Sequence, residues 1–213
     1  DGRAEVDVVV IGAGIAGLSS AVLAARAGCR VLVVEDRGIG TGVTSHSTAK
    51  VTVLHGTQYA ELTTRHGPEV AARYATAQQA GLDWLRGRWP DAEVRRAGTY
   101  GTDDRSRREV EREAQAAQAA GVAARVVDRL DDVPFATTGA VVVDDQLQLD
   151  PTPLLASLAG EVEELGGTVV EGTRAVGVRD GRGGAAVRTS GGTVRAGWVV
   201  LATHLPFVDR SLL

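Results

Sequence analysis

The feature that most constrains this chain is a glycine-rich turn between a predicted strand and a predicted helix near the amino terminus. The apolar run Val6–Ile11 is typical of a parallel strand covered on both faces, and Ile15–Ala27 has apolar residues at helical spacing. Between them stands Gly12-x-Gly14-x-x-Gly17. The first glycine of such a motif permits a sharp turn, the second lets a pyrophosphate approach the backbone, and the third lets helix and strand pack closely. The turn predicts a dinucleotide site at the positive end of the helix dipole, and a turn needed only for packing is the alternative.

A carboxylate follows at the spacing that a dinucleotide site requires. The apolar segment Arg30–Val34 predicts a second strand, and Glu35 ends it eighteen residues after Gly17. Strand, helix and parallel strand form one βαβ unit with a right-handed crossover. A carboxylate at this position accepts hydrogen bonds from ribose hydroxyls and repels a 2′-phosphate, so NADP is disfavoured.

The segment after Glu35 bears on the choice between FAD and NAD. A domain that binds NAD alone would continue with a helix and a third strand, whereas Asp36–Lys50 is rich in Gly, Thr and Ser and has neither period. Backbone amides and hydroxyls at this density can line an elongated phosphate and a flavin ring. The alternatives are a mobile polar loop and a plain NAD-dependent enzyme.

The chain then changes character twice. Helices and strands of another kind occupy the middle, and helix–strand units resume at Pro151. We therefore expect an α/β fold, a Rossmann-like FAD-binding domain split by an inserted α+β substrate-domain segment. The expected divisions are 1–60 for the first FAD-binding part, 61–147 for the helical and substrate-domain segment, 148–205 for the second FAD-binding part and 206–213 for the start of a truncated continuation. The late strands are predicted as Gly139–Asp144, Gln146–Leu149, Ala185–Thr189, Thr193–Ala196 and Trp198–Ala202.

The combined pattern resembles the FAD-dependent oxidoreductases of the D-amino-acid oxidase type, which include glycine and sarcosine oxidases. The glycine turn, Glu35, the loop through Thr48-Ala49-Lys50 and the late Val199-Val200-Leu201-Ala202-Thr203 carry the resemblance, and Thr44–His55 is most similar to a bacterial subgroup that often has a C-terminal Rieske domain. The turn and the resemblance together imply FAD as cofactor. The implied cofactor-binding residues are Gly12, Gly14, Ile15, Ala16, Gly17, Glu35, Asp36, Arg37, Gly42, Thr44, His46, Ser47, Thr48, Ala49, Lys50, Ala175, Val176, Ala202 and Thr203.

Three residues need separate weighing. In dimethylglycine dehydrogenase-like members of the family a histidine in the matching loop carries the flavin covalently; His46 either does so or only hydrogen-bonds the cofactor or the loop. Lys50 either stabilises the reduced flavin electrostatically or is a surface charge. The family's late Ala-Thr-Gly reads Ala-Thr-His here, with His204 in place of glycine. No residue is nominated as catalytic.

Composition limits the partners. A net charge of −4 argues against nucleic acid or an anionic membrane surface, and no stretch is long and apolar enough to span a bilayer. The single cysteine, Cys29, is typical of a reducing cytoplasm, and no histidine has metal-ligand spacing. The chain stops soon after Ala202, so we expect a fragment that dimerises or lacks a C-terminal portion. The expected function is FAD-dependent oxidation of a C–N bond in a small amine or amino acid by hydride transfer to flavin. The alternative is a non-catalytic dinucleotide-binding subunit or a fragment completed by another chain.

Overall fold

The computed structural model describes residues 4–181, 183–205 and 207 of the chain. These residues contain ten β-strands and five α-helices. In chain order they are β1 (Ala4–Ile11), α1 (Ile15–Arg26), β2 (Val31–Val34), β3 (Lys50–Val51), α2 (Gln58–His66), α3 (Pro68–Arg88), β4 (Glu93–Gly101), α4 (Asp104–Ala119), β5 (Arg125–Val127), β6 (Gly139–Gln148), α5 (Pro151–Glu164), β7 (Thr168–Val170), β8 (Ala175–Gly181), β9 (Gly184–Thr189) and β10 (Gly192–Leu201). They form two compact units, residues 1–49 with 150–213 and residues 50–149.

The first unit is a six-stranded sheet in the order β7-β2-β1-β10-β9-β8. The four strands β7, β2, β1 and β10 are parallel, whereas β9 and β8 form an antiparallel extension. Helices α1 and α5 contribute the buried side chains Leu18, Ala21, Val22, Leu154, Leu155, Leu158 and Val162. A second apolar cluster combines residues of β1, β2, β9 and β10, namely Val9, Ile11, Val34, Val187 and Ala196. The valine-rich strands β1 and β2 are buried at most of their positions, as is typical of parallel strands covered on both faces.

The last strand is longer than its sequence indicates. The segments predicted as Thr193–Ala196 and Trp198–Ala202 form the single strand β10, which runs beside β1 from Val194 to Leu201. Its first half also pairs with β9 across the tight turn that the glycines of Ser190-Gly191-Gly192 permit. Gly197 does not interrupt the strand, because the ladder to β1 continues on both sides of it.

The second unit is a small antiparallel sheet covered by three helices. Strand β6 pairs with β3, β4 and β5, and its residues Val141, Val143 and Leu147 lie in the core beneath α2, α3 and α4. The two strands predicted at 139–144 and 146–149 are one strand, which passes through Asp145 at φ +57°. An aspartate tolerates this left-handed conformation, so the ladder to β4 resumes after it.

The observed divisions differ from the expected ones at two places. Residues 50–60 lie in the second unit, because Lys50 and Val51 pair with Gln148 and Leu147 of β6. Gln148 itself and Leu149 also lie there. The expected continuation at 206–213 lies outside the described residues apart from Phe207.

No helix within the described ranges is long and apolar enough to cross a membrane. The same residues contain no group of three or more His, Cys, Asp or Glu side chains arranged to hold a metal ion.

Candidate nucleotide-binding site

A cavity of about 500 Å³ opens at the carboxyl ends of β1, β2 and β10 in the first unit. Ligands of open α/β sheets bind outside the carboxyl ends of parallel strands, so the cavity has the expected place. It is lined by Ile11, Gly12, Gly14, Val34, Glu35, Asp36, Arg37, Gly40, Gly42, Val43, Thr44, Thr173, Arg174, Ala175, Ala202, Thr203, His204, Leu205 and Phe207.

The glycine turn is sterically required. Gly12 has φ +106°, and a Cβ there would lie 2.5 Å from the carbonyl oxygen of Ala202. A Cβ on Gly17 would overlap the carbonyl oxygen of Gly12. The ends of β1 and β10 and the first turn of α1 therefore approach one another more closely than any larger residue permits.

The amino terminus of α1 is open toward the cavity. Its N-cap residue is Gly14, which offers no side chain to the free N–H groups, although the Thr44 hydroxyl accepts a hydrogen bond from the Ile15 N–H at 3.2 Å. A Cβ on Gly14 would lie 3.0 Å from the same hydroxyl oxygen. The free N–H groups and the helix dipole favour an anion at this point.

Glu35 is fixed by backbone donors on two sides. Its Oε2 accepts a hydrogen bond from the Ala13 N–H at 2.8 Å, and its Oε1 accepts one from the Arg37 N–H at 3.1 Å. The Glu35 backbone also bonds to both Val170 and Thr173. The carboxylate therefore has a fixed orientation in the cavity wall and retains lone pairs for further donors.

The loop after Glu35 is ordered by its own hydrogen bonds. Thr41 bonds to the Gly38 carbonyl, and the Gly40 N–H donates to the Ala13 carbonyl at 3.2 Å. Ser45 bonds to the Gly40 carbonyl. These contacts hold residues 38–45 against the glycine turn, which argues against the alternative of a mobile polar loop.

An ion pair lies in the cavity wall beside Glu35. Arg174 Nε donates to Asp36 Oδ1 at 2.9 Å and Arg174 Nη2 to Asp36 Oδ2 at 2.7 Å. The hydrogen bonds from the guanidinium lower the pKa of Asp36, and the same contact raises the pKa of Arg174. The pair joins the end of β2 to the segment between β7 and β8.

Ten of the residues predicted to bind the cofactor line this one cavity. They are Gly12, Gly14, Glu35, Asp36, Arg37, Gly42, Thr44, Ala175, Ala202 and Thr203. Ile15, Ala16 and Gly17 lie directly behind the wall in the first turn of α1.

The other predicted residues lie elsewhere. His46, Ser47, Thr48 and Ala49 are exposed or partly exposed in the loop that follows Thr44, outside the cavity lining. The His46 Nδ1 lies 2.8 Å from the Gly42 carbonyl oxygen. Lys50 is exposed on β3 of the second unit. Val176 is exposed on β8, next to the cavity residue Ala175.

Several wall residues escaped the sequence reasoning. The local sequence did not indicate Arg174 and Thr173 as site residues, because their partners Asp36 and Glu35 are more than a hundred residues away. His204, Leu205 and Phe207 follow directly on Thr203, so the length of the late motif alone could have indicated them. His204 has φ +64°, which explains the glycine that the motif usually carries there.

The backbone donors and the carboxylate in the cavity wall fit the pyrophosphate and ribose of a flavin dinucleotide. Two glycines leave room for a phosphate at the helix terminus, and a carboxylate stands where a ribose would lie. A volume of about 500 Å³ is within the range of small-molecule sites. The fold and the cavity together define a dinucleotide-binding α/β protein with an inserted α+β unit.

Comparison with known proteins agrees with this class and narrows it. The model of the FAD dependent oxidoreductase family matches residues 7–210, and the chain belongs to this family, whose cofactor is FAD. A Bacillus subtilis (strain 168) protein called "Putative Rieske 2Fe-2S iron-sulfur protein YhfW" is 27% identical over 211 residues, which are 96% of this chain and 41% of that protein. The resemblance predicted from the glycine turn and the late strand is thereby confirmed.

Solved structures share the fold at low sequence identity. Glycine oxidase from Geobacillus kaustophilus superposes with a TM-score of 0.68 at 20% identity, over 94% of this chain and 55% of that one. L-proline dehydrogenase from P. horikoshii superposes with a TM-score of 0.70 at 20% identity, over 94% of this chain and 53% of that one. L-amino acid deaminase from Proteus vulgaris superposes with a TM-score of 0.70 at 18% identity, over 95% of this chain and 48% of that one. The chain thus spans about half the length of these relatives.

Proposed function

We propose that this chain binds FAD in the cavity of its first unit. We further propose that the protein of which it forms the FAD-binding part oxidises a C–N bond of an amine or amino acid by hydride transfer to the flavin. The observation that carries the proposal is the convergence of the glycine turn, the open amino terminus of α1 and Glu35 on one cavity. An isolated glycine motif would be weak support, whereas these three features together suit two adjacent parts of a dinucleotide, the pyrophosphate and the ribose.

Each part of the wall has a distinct task in this proposal. The backbone of Gly12 and Gly14, with the first turn of α1, would bind the pyrophosphate. Glu35 would accept hydrogen bonds from the ribose hydroxyls, in an orientation that the Ala13 and Arg37 N–H groups fix beforehand. Ala175 and Val176 would lie beside the adenine.

The loop after Glu35 would extend the site toward the flavin. Thr44, already bonded to the Ile15 N–H, is suited to a phosphate oxygen. Further contacts are proposed for Gly42, His46, Ser47, Thr48, Ala49, Lys50, Ala202 and Thr203. His46 would bond the loop through Gly42, and covalent attachment to it is the second possibility.

Bound FAD would supply the electron acceptor for hydride removal from the carbon next to nitrogen. The chain's own residues would bind and orient the cofactor. Amine substrates are favoured over hydroxy acids by the three structural relatives, which are a glycine oxidase, an L-proline dehydrogenase and an L-amino acid deaminase. This support for the substrate is an analogy of fold.

The test begins with the visible absorption of the purified protein, repeated after denaturation and filtration. Flavin bands that pass into the filtrate support non-covalent FAD, and bands that stay with the polypeptide in the wild type but not in H46A support attachment at His46. The protein containing this chain is then mixed anaerobically with amino acids, secondary amines and 2-hydroxy acids. Bleaching of the flavin by amines alone supports the proposal, and bleaching by hydroxy acids alone would overturn it.

A second candidate is a dinucleotide-binding part that another polypeptide segment completes. One observation favours it: Trp198 on β10 is 77% exposed, although its neighbour Val8 on β1 is buried. A large apolar side chain on a sheet is commonly covered by a further element. Gel filtration tests whether a second copy covers this surface: a stable dimer would support self-association, and a stable monomer would argue against it.

A further inference from the structure

We infer that the guanidinium plane of Arg174, whose orientation Asp36 fixes, is the surface on which the adenine ring of FAD stacks. The inference rests on the proposed function, since it concerns the same cavity. It assigns a role to an ion pair that the glycine motif and Glu35 leave unexplained.

The position of Arg174 is fixed by its backbone. Its N–H donates to the Ser190 hydroxyl at 3.1 Å, and its carbonyl accepts from the Ser190 N–H at 2.8 Å. The preceding Thr173 N–H donates to the Glu35 carbonyl at 2.8 Å. Three hydrogen bonds therefore fix this segment beside the carboxylate that would bind the ribose, which is one glycosidic bond away from the base.

The orientation of the guanidinium is fixed by Asp36. Two parallel hydrogen bonds, from Nε and Nη2, use one edge of the group and hold its plane. Among the described residues the side chain makes no other hydrogen bond, and it is 67% exposed. A planar, weakly hydrated guanidinium stacks on aromatic rings, which an ammonium group does less well.

Stabilisation of the fold does not account for the pair. Both side chains are well exposed, 67% for Arg174 and 40% for Asp36, and exposed ion pairs contribute little to the free energy of unfolding. The same chain contains a similar bidentate pair away from the cavity: Arg30 donates to Asp7 through Nε and Nη2 at 3.1 and 2.8 Å, with exposures of 64% and 43%. Arg30 also donates its backbone N–H to Asp7 and its Nη1 to the Glu5 carbonyl. Only the pair of Arg174 and Asp36 lines the cavity.

The test measures the affinity of the full chain, freed of flavin, for FAD and for ADP by calorimetry. We expect R174Q to weaken both ligands about five- to tenfold, the range of a stacking contact between a cation and an aromatic ring. R174K keeps the charge without the plane and should lose almost as much. D36N should lose about two- to threefold, because the guanidinium keeps its place but not its fixed plane.

The control variants are R30Q, R30K and D7N, which should bind FAD and ADP as the wild type does. Melting temperatures should change equally little in the two sets. Full affinity in R174Q overturns the inference, and so does full affinity in R174K, since charge alone would then suffice. A loss in R30Q equal to that in R174Q would likewise overturn it. A wild type that binds neither FAD nor ADP would instead refute the proposed function.

Discussion

The carboxylate of Glu35 accepts a hydrogen bond from the backbone N–H of Ala13 at 2.8 Å, across twenty-two residues of sequence. The contact joins the end of β2 to the middle of the glycine turn at the end of β1. It fixes the carboxylate and the turn relative to each other. The ribose and pyrophosphate positions of the proposed site are therefore set by one shared contact, and such preorganisation lowers the cost of binding.

Replacing Glu35 tests this relationship. E35A is expected to weaken FAD binding about 10- to 100-fold, because hydrogen bonds to a charged group contribute about 1.5–3 kcal/mol. The measurement is a fluorescence titration of the flavin-free chain with FAD. E171A is the matched control, since the Glu171 carboxylate accepts the Ile39 N–H at 2.7 Å in the same unit but outside the cavity lining. Equal losses in the two variants would show that the effect is one of general loop stability.

The close approach of β1 and β10 predicts the effect of adding a single methyl group. G12A is expected to lower the free energy of unfolding by at least about 2 kcal/mol, because a side chain is strained at φ +106° and the new Cβ would meet the Ala202 carbonyl oxygen at 2.5 Å. Urea denaturation gives this value. G160A on α5 serves as control, since nothing lies within 4 Å of the added Cβ there and helix propensity favours alanine by up to about 1 kcal/mol. A G12A chain as stable as the wild type would refute the steric argument.

The second unit contains a buried carboxylate that caps a helix. Glu113 on α4 is fully buried and accepts the N–H groups of Tyr59 at 3.0 Å and Ala60 at 2.8 Å in the first turn of α2. Desolvation raises the pKa of Glu113, and the two backbone hydrogen bonds partly offset that rise. E113A is expected to lower the free energy of unfolding by about 2–4 kcal/mol, because one buried and one partly buried N–H group lose their acceptor.

The raised pKa of Glu113 also gives a dependence on pH whose sign follows from linkage. The folded state holds this proton more tightly than the unfolded chain, so the stabilising contribution is complete below 4.5, the ordinary glutamate pKa, and is lost as pH rises through the raised value. The deficit of E113A relative to wild type should therefore shrink between mildly acidic and neutral pH. Denaturation curves at several pH values measure it, and E113Q should lack the slope in the same way. A deficit that grows with pH would contradict the assignment.

The left-handed backbone of His204 predicts that glycine at this position stabilises the chain. Its backbone has φ +64°, where a residue with a Cβ is strained by about 1–2 kcal/mol. Glycine would relieve this strain, but its greater freedom in the unfolded chain would cost about 0.5–1 kcal/mol. H204G is therefore expected to raise the free energy of unfolding by about 0.5–1 kcal/mol. Thermal melts of the apoprotein test it. T203G, at the preceding residue without a left-handed backbone, should lower stability instead, and a matching fall in H204G would refute the strain.

The nucleotide end of the site was predictable because its requirements are local. A sharp turn, a phosphate against the backbone and a tight helix crossing each demand glycine at a fixed spacing, and Gly12, Gly14 and Gly17 occupy those spacings. Glu35 follows because the length of one strand–helix–strand unit brings it back to the same edge of the sheet. The family was recognisable from the same residues together with the late strand.

Other features depended on contacts between distant segments. The sequence placed Lys50 with the first FAD-binding part, but Lys50 pairs with Gln148 of β6 and therefore lies in the second unit. It divided β10 into two strands at Gly197, because no local pattern shows that β1 runs beside both halves. Nothing in the sequence around Glu113 distinguishes it from the other charged residues of α4, and only the position of α2 makes it buried.

The sequence by itself therefore determined the class of fold, the cofactor class and the position of the glycine turn, since these follow from backbone conformation and short spacing. Only the tertiary structure decided which side chains complete the wall of the cavity. Arg174 and Asp36 are 138 residues apart and meet because β7 and β2 are neighbours in the sheet. Contacts of this kind depend on strand order. Strand order results from packing throughout the unit, so the sequence around either partner does not indicate it.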